Sequence, residues 1–191
     1  MKNDIILAGV GGQGILTIAA AIGFAAVEKD LFIKQAEVHG MSQRGGDVQS
    51  HLRLSDREIS SDLIPYGGAD LILSVEPMEG LRYLPWLSKN GFLVTSSIPF
   101  ANIPDYPDTE DLLGEIRKLR NHVIIDADQV AQDAGSQRAA NIVMLGAASH
   151  YINLPYSYLE NSIRTLFGKK GDEIVNLNLR ALKAGYDQVK T

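Results

Sequence analysis

The chain has 191 residues, 45% of them apolar, enough for one substantial core and short for two, so a single domain spanning 1–191 is expected. Its 23 acidic against 18 basic side chains give a net charge of −5 without a broad cationic surface, which argues against nucleic acid as a partner, and no run of about 20 uncharged apolar residues is present to span a membrane. Cysteine is absent, which excludes disulfides and thiolate ligation of zinc or of an iron–sulfur cluster by these residues.

Met1-Lys2-Asn3-Asp4 runs directly into an apolar segment, so no signal peptide and a cytoplasmic location are expected. Asp4 to Gly9 reads as a strand, a glycine turn follows, and Ile15 to Val27 carries apolar residues at helical spacing. Leu31 to Val38 predicts a second strand, His39 to Asp47 a polar glycine-rich loop, and Val48 to Leu54 alternates as a strand with one wet or functional face. After the turn Ser55-Asp56-Arg57 a return strand is predicted around Glu58 to Ser60, then a buried parallel strand over Ala69 to Val75. Pro77, following Glu76, stands where proline is tolerated at the start of a helix.

The alternation continues with a helix near Met78 to Trp86, a strand over Gly91 to Ser96, a loop from Pro99 to Pro107, a helix over Glu110 to Arg120 and a strand over His122 to Ala127. From Asp128 the chain reads as helical, with Asn141 to Tyr151, Ser157 to Phe167 and Asp172 to Val189 each amphipathic. The expected fold is therefore α/β: a doubly wound, mostly parallel, Rossmann-like sheet with helices on both faces and a helical C-terminal third.

Gly9-Val10-Gly11-Gly12-Gln13-Gly14 has the G-x-G-x-x-G spacing between a first strand and a first helix, where glycines allow a tight turn and the helix end attracts an anion. In a dinucleotide site an acid at the end of the second strand binds the ribose, and Glu37 is the residue near that place. Beside this reading stands a plainer one, in which Gly11 and Gly14 only let the helix pack close to the strand.

The second glycine-rich stretch, Glu37-Val38-His39-Gly40-Met41-Ser42-Gln43-Arg44-Gly45-Gly46, projects in such a sheet from the same carboxyl edge. Arg44 offers a planar donor fork for a carboxylate or phosphate, with Gln43, Ser42 and His39 as neutral partners; the alternative is a solvated loop in which Arg44 pairs with Glu37 or Asp47. His39 and His51 fit no familiar zinc spacing, so no metal site is expected. No nucleophile elbow, phosphate-binding P-loop or H-E-x-x-H is present, and no catalytic residue is assigned. Asp126 and Asp128 read either as an acid pair or as helix caps, and Tyr151, Tyr156 and Tyr158 as packing anchors.

Taken together, Gly9 to Ile15, Glu37 to Gly46, Ser50-His51-Leu52-Arg53, Ala69 to Leu73 with Glu76-Pro77, Asn141 to Gly146 and Leu154-Pro155 resemble the gamma-type domain of the 2-oxoacid:ferredoxin oxidoreductases over essentially the whole chain. The Met-Ser-Gln-Arg-Gly-Gly form resembles the small subunit of the indolepyruvate branch. The resemblance implies oxidative decarboxylation of a 2-oxoacid, with coenzyme A accepting the acyl group and ferredoxin the electrons. It further implies that thiamine diphosphate, its magnesium ion and the iron–sulfur clusters belong to a larger partner subunit, that this chain binds no cofactor tightly, and that it is inactive alone. Met41 to Gly46 are then expected to face that partner, the first glycine turn to hold an anionic group, and the isolated chain to self-associate. An independent NAD(P)- or nucleotide-binding protein is the alternative.

Overall fold

A computed structural model of the protein describes residues 1–39, 46–101 and 103–189. The chain order is β1 (Lys2–Val10), α1 (Ile15–Glu28), β2 (Phe32–His39), β3 (Asp47–Ser55), β4 (Ala69–Ser74), α2 (Pro77–Arg82), β5 (Leu87–Ser96), α3 (Thr109–Arg117), β6 (His122–Ile125), α4 (Ala127–Ala134), α5 (Ala140–Ala148), α6 (Tyr156–Phe167) and α7 (Asp172–Gln188). The six strands form one sheet in the order β2-β3-β1-β4-β5-β6. β1, β4, β5 and β6 run parallel, while β3 is antiparallel to both of its neighbours, β1 and β2.

Strand alternation sends successive side chains to opposite faces, and both faces are covered. Ile5, Leu7, Leu71, Leu73 and Val94 pack under α1 and the C-terminal helices α4 to α7; Ile6, Ala8, Ile72 and Leu93 pack against Tyr83 and against Leu113 and Ile116 of α3. Each fully buried Ile or Leu in these rows contributes about 1.5–3 kcal/mol. The two-sided arrangement is the doubly wound fold expected from the alternating strands and helices.

The C-terminal helices meet at unusually short range. A Cβ on Gly146 of α5 would lie 2.0 Å from Leu182 O, and one on Gly185 of α7 would lie 1.9 Å from Val143 O, so the two backbones touch where both residues lack a side chain. α1 is apolar around its circumference: Ile18, Ile22 and Ala25 are buried beneath it, while Leu16, Phe24 and Val27 face solvent.

Four sequence expectations change. No strand forms over 58–60; just beyond it the Arg53 guanidinium donates to Ser61 O at 2.9 Å and Leu63 O at 3.0 Å, and His51 Nδ1 accepts Ile64 N–H at 3.0 Å, so side chains of β3 tie down residues 61–64 in place of a ladder. The helix expected to reach Trp86 ends at Arg82, and Leu84–Trp86 form a 3-10 turn around Pro85, which lacks the N–H an α-helix needs. β5 begins at Leu87, earlier than expected, because Ala69 pairs with Leu87 across a register shift. β6 ends at Ile125, where Asp126 caps α4, a helix the sequence does not separate from its helical tail.

Candidate functional site

β1 delivers the glycine turn to the carboxyl edge of the sheet. The chain passes through Gly12 at φ +103° and Gly14 at φ +82°, left-handed values that favour glycine at both positions. Gln13 closes the turn: its Oε1 accepts the Val10 amide at 2.7 Å and its own amide donates to Val10 O at 3.1 Å. A Cβ on Gly9 would lie 2.5 Å from Val75 Cγ2, and one on Gly14 2.4 Å from Asn141 Nδ2, the group that donates to Gly14 O at 3.3 Å. Close packing therefore accounts for Gly9, and close packing together with the left-handed backbone accounts for Gly14. α1 begins with no side-chain cap and no acid in its first turn, so its positive end is not neutralised by its own residues.

α1 leaves β1 toward one face and α2 leaves β4 toward the other, which makes the β1/β4 boundary the topological switch point, where open α/β sheets bind ligands. Beside it Gly12, Gln13, Ser96, Ile98, Phe100 and Asn141 line a cavity of about 260 Å³, with Arg138 and Asp128 also on its wall. On the β3 side of the turn, Gly11, Leu16 and Val48 line a second concavity of about 500 Å³.

A buried polar network underlies the switch point. Glu76 is fully buried; its Oε2 accepts Glu79 N–H at 2.8 Å, capping α2, and its Oε1 accepts the Tyr106 hydroxyl and, at 3.4 Å, Phe100 N–H. Glu79 pairs with Arg82 at 2.8 Å; burial pushes its carboxyl above the usual range, against the opposing pull of Arg82. The Tyr83 hydroxyl donates to Asp47 at 3.2 Å. Burial, reinforced by the neighbouring carboxylates, pushes the Tyr83 and Tyr106 phenols far up. Both hydroxyls are therefore fixed as donors.

Among the expected site residues, Gly9, Gly11, Gly12, Gln13 and Gly14 share this edge, and Gly46 joins them because Gly11 N–H donates to Gly46 O at 2.9 Å. Glu37 lies near the end of β2, with Gln35 Nε2 at 2.6 Å from its carboxylate. β3 stands between β2 and β1, so Glu37 is two strand spacings from the turn, about 10 Å rather than about 5 Å. That displacement counts against a ribose-binding role. His39 closes β2, while Met41, Ser42, Gln43, Arg44 and Gly45 lie outside the described residues.

His51 is a core residue, edge-on to Trp86 at 6.1 Å, and burial followed by the Arg53 charge lowers its pKa. Among the described residues no group of three or more His, Asp or Glu is placed to hold a metal. With no cysteine in the sequence, the donor set does not fit an iron–sulfur cluster. Asp126 accepts Gln129 N–H at 2.8 Å as a helix cap, and Asp128 accepts Gln137 Nε2 at 2.8 Å, which favours the capping reading over an acid pair. Tyr151 stacks on Phe92 at 4.1 Å and Tyr156 packs against Tyr186 at 4.8 Å, both as packing anchors. Sequence reasoning missed Tyr106 and Arg138. It noted Glu76 and Asn141 only as parts of motifs.

The family model for pyruvate ferredoxin/flavodoxin oxidoreductase matches residues 4–188. The chain is 41% identical to the indolepyruvate oxidoreductase subunit IorB of Archaeoglobus fulgidus, over 98% of this chain and 96% of that protein. Its fold matches the crystal structure of the pyruvate oxidoreductase subunit PORC of Thermotoga maritima at a TM-score of 0.76 and 22% identity, covering 99% of this chain and 97% of that one. It also matches the 2-oxoglutarate:ferredoxin oxidoreductase of Magnetococcus marinus, solved with 2-oxoglutarate, coenzyme A and succinyl-CoA bound, at a TM-score of 0.77 and 22% identity, covering 98% of this chain but 31% of that one. The same fold thus stands alone as a subunit in one protein and forms about a third of a longer chain in another. The chain belongs to the pyruvate ferredoxin/flavodoxin oxidoreductase family, in which it has the length and fold of a small subunit.

Proposed function

We propose that the protein is the small subunit of an indolepyruvate-type 2-oxoacid:ferredoxin oxidoreductase. The observation that carries this reading is the 41% identity, spanning both chains almost completely, to an indolepyruvate oxidoreductase subunit. In the overall reaction the bond between the carboxylate and the keto carbon breaks and carbon dioxide leaves. The acyl carbon loses two electrons, one to each of two ferredoxins, and coenzyme A exchanges its thiol proton for a thioester bond. Thiamine diphosphate with magnesium would supply decarboxylation, and iron–sulfur clusters the electron path, from a larger partner subunit; for the clusters, the absence of cysteine from this sequence supports that division.

This chain's part is to shape the carboxyl edge and complete the assembly. The Met41 to Gly46 turn meets the large subunit, with Arg44 orienting an anionic group there, and the glycine turn with the open end of α1 receives an anionic portion of coenzyme A. The complex works in the cytoplasm; no helix among the described residues is long and apolar enough to cross a membrane. Made alone, the chain self-associates through apolar surface such as Leu16, Phe24 and Val27.

The test is co-expression with the large subunit, anaerobic purification, and viologen or ferredoxin reduction dependent on indolepyruvate and coenzyme A. Activity requiring both chains supports the reading. A large subunit fully active alone, or no association, sinks it and revives the independent nucleotide-binding alternative. An Arg44→Ala complex with unchanged steady-state constants for both substrates would remove the role given to Arg44.

A further inference from the structure

Glu76 is a fully buried carboxylate with no ion pair among the described residues; three donors satisfy it instead. Burying a charge is costly unless hydrogen bonds replace its water, so such a group persists where it organises something. Its donors come from two places. Glu79 N–H belongs to α2, whereas the Tyr106 hydroxyl and Phe100 N–H belong to the connection between β5 and α3. That connection supplies Ile98, Pro99 and Phe100, one wall of the 260 Å³ cavity, and the opposite wall is Gly12, Gln13 and Asn141. A single carboxylate just beyond the end of β4 therefore ties the Ile98 to Phe100 wall to the start of α2.

The lining shows what such a cavity accepts. Gln13, Gln137 and Asn141 offer neutral amides, Val75, Ile98 and Met144 an apolar surface and Arg138 a cation, while the acid of the lining, Asp128, accepts Gln137 Nε2 at 2.8 Å. A chain of amides and methylenes leading to a phosphate matches that set, and the volume suits a segment rather than a whole large ligand. We propose that Glu76 and Tyr106 are positioning residues that hold the Ile98 to Phe100 wall against the glycine turn and so set the affinity of the complex for coenzyme A. This rests on the functional reading above and extends it to residues that touch no substrate.

Two measurements test it, with Tyr106→Phe as the main variant because the ring is kept and only the hydroxyl lost. In the full chain, hydrogen exchange reads the wall directly: losing one hydrogen bond to a charged group is expected to speed exchange at Phe100 by about 10-fold. In the purified complex, KM for coenzyme A is expected to rise about 5-fold while kcat and KM for the 2-oxoacid stay within about twofold, the loss of ground-state binding alone. Glu76→Gln, which keeps one acceptor oxygen, is expected to shift both quantities the same way.

Unchanged exchange at Phe100 overturns the proposal, as does faster exchange with an unchanged KM for coenzyme A, or a rise confined to the 2-oxoacid. A wild-type complex without coenzyme A-dependent activity sinks the functional reading and the coenzyme A assignment with it, while the exchange data still decide whether Glu76 holds the wall.

Discussion

Gly146→Ala tests whether the α5–α7 contact is as tight as described. In an ordinary helix this substitution stabilises by about 1 kcal/mol, because alanine loses less backbone freedom on folding. Here the new Cβ would stand 2.0 Å from Leu182 O and 2.9 Å from Tyr186 N, both rigid backbone atoms. Since Cβ contacts under 3.0 Å essentially never occur, the helices must separate by about 1 Å or more. A gap of that size forfeits a quarter to a half of each dispersion contact along the seam, and overpacking of this kind costs roughly 1–3 kcal/mol, occasionally more. At the upper end of that cost, and after subtracting the helix-propensity gain, the expected net loss is about 2 kcal/mol, or roughly 4–8 °C in Tm for a chain of this size. Gly114→Ala in α3, whose Cβ would meet nothing within 4 Å, is the control and is expected to gain about 0.5–1 kcal/mol. Urea unfolding of both variants gives the comparison; a Gly146→Ala protein at or above wild-type stability would refute the argument.

Arg53→Ala leaves Asp4 buried without its bidentate partner at 2.8 and 3.0 Å, and should cost about 3 kcal/mol in urea unfolding. A loss below about 1 kcal/mol would mean Lys2, at 2.7 Å from Asp4, suffices. Gly14→Ala combines a left-handed backbone with a clash against Asn141 and should destabilise by more than about 1 kcal/mol; an unchanged Tm would show that the turn relaxes freely. His51 has its folded pKa held below its ordinary 6.5, by burial first, so its stabilising contribution is full above that value and lost as pH falls through the lower folded one. Tm should therefore fall as the pH drops below about 6.5, and fall less in His51→Phe; equal slopes would exclude His51 as the source.

The sheet with helices on both faces was legible because apolar runs, glycine turns and helical spacing alternate along the chain. The glycine turn was legible for the same reason: its chemistry is local. Strand order was not, since the insertion of antiparallel β3 between β1 and β2 depends on pairings such as Ile5 with Leu52, far apart in sequence. The strand expected over 58–60 did not form, and just beyond it Arg53 reaches from β3 to the carbonyls of Ser61 and Leu63, a long-range tie that no local pattern reveals. Tyr106 escaped notice because its partner, Glu76, lies 30 residues away, and a tyrosine in a proline-rich loop carries no signature of a buried carboxylate. Asn141 became part of the site only when α5 folded back onto Gly14.

The hydrogen bond from Gly11 N–H to Gly46 O joins the glycine turn to the far end of the Met41 to Gly46 segment. It uses one amide of the turn within the chain, and the Gln13 amide is given to Val10 O, so an anion at this edge must be met by other amides of the turn and of the first turn of α1. It also makes that amide a spectroscopic probe. In an isotope-labelled sample, the Gly11 proton shift would track whatever happens at the second glycine-rich segment, and a partner engaging Arg44 could be followed from within the first turn without any label on the partner.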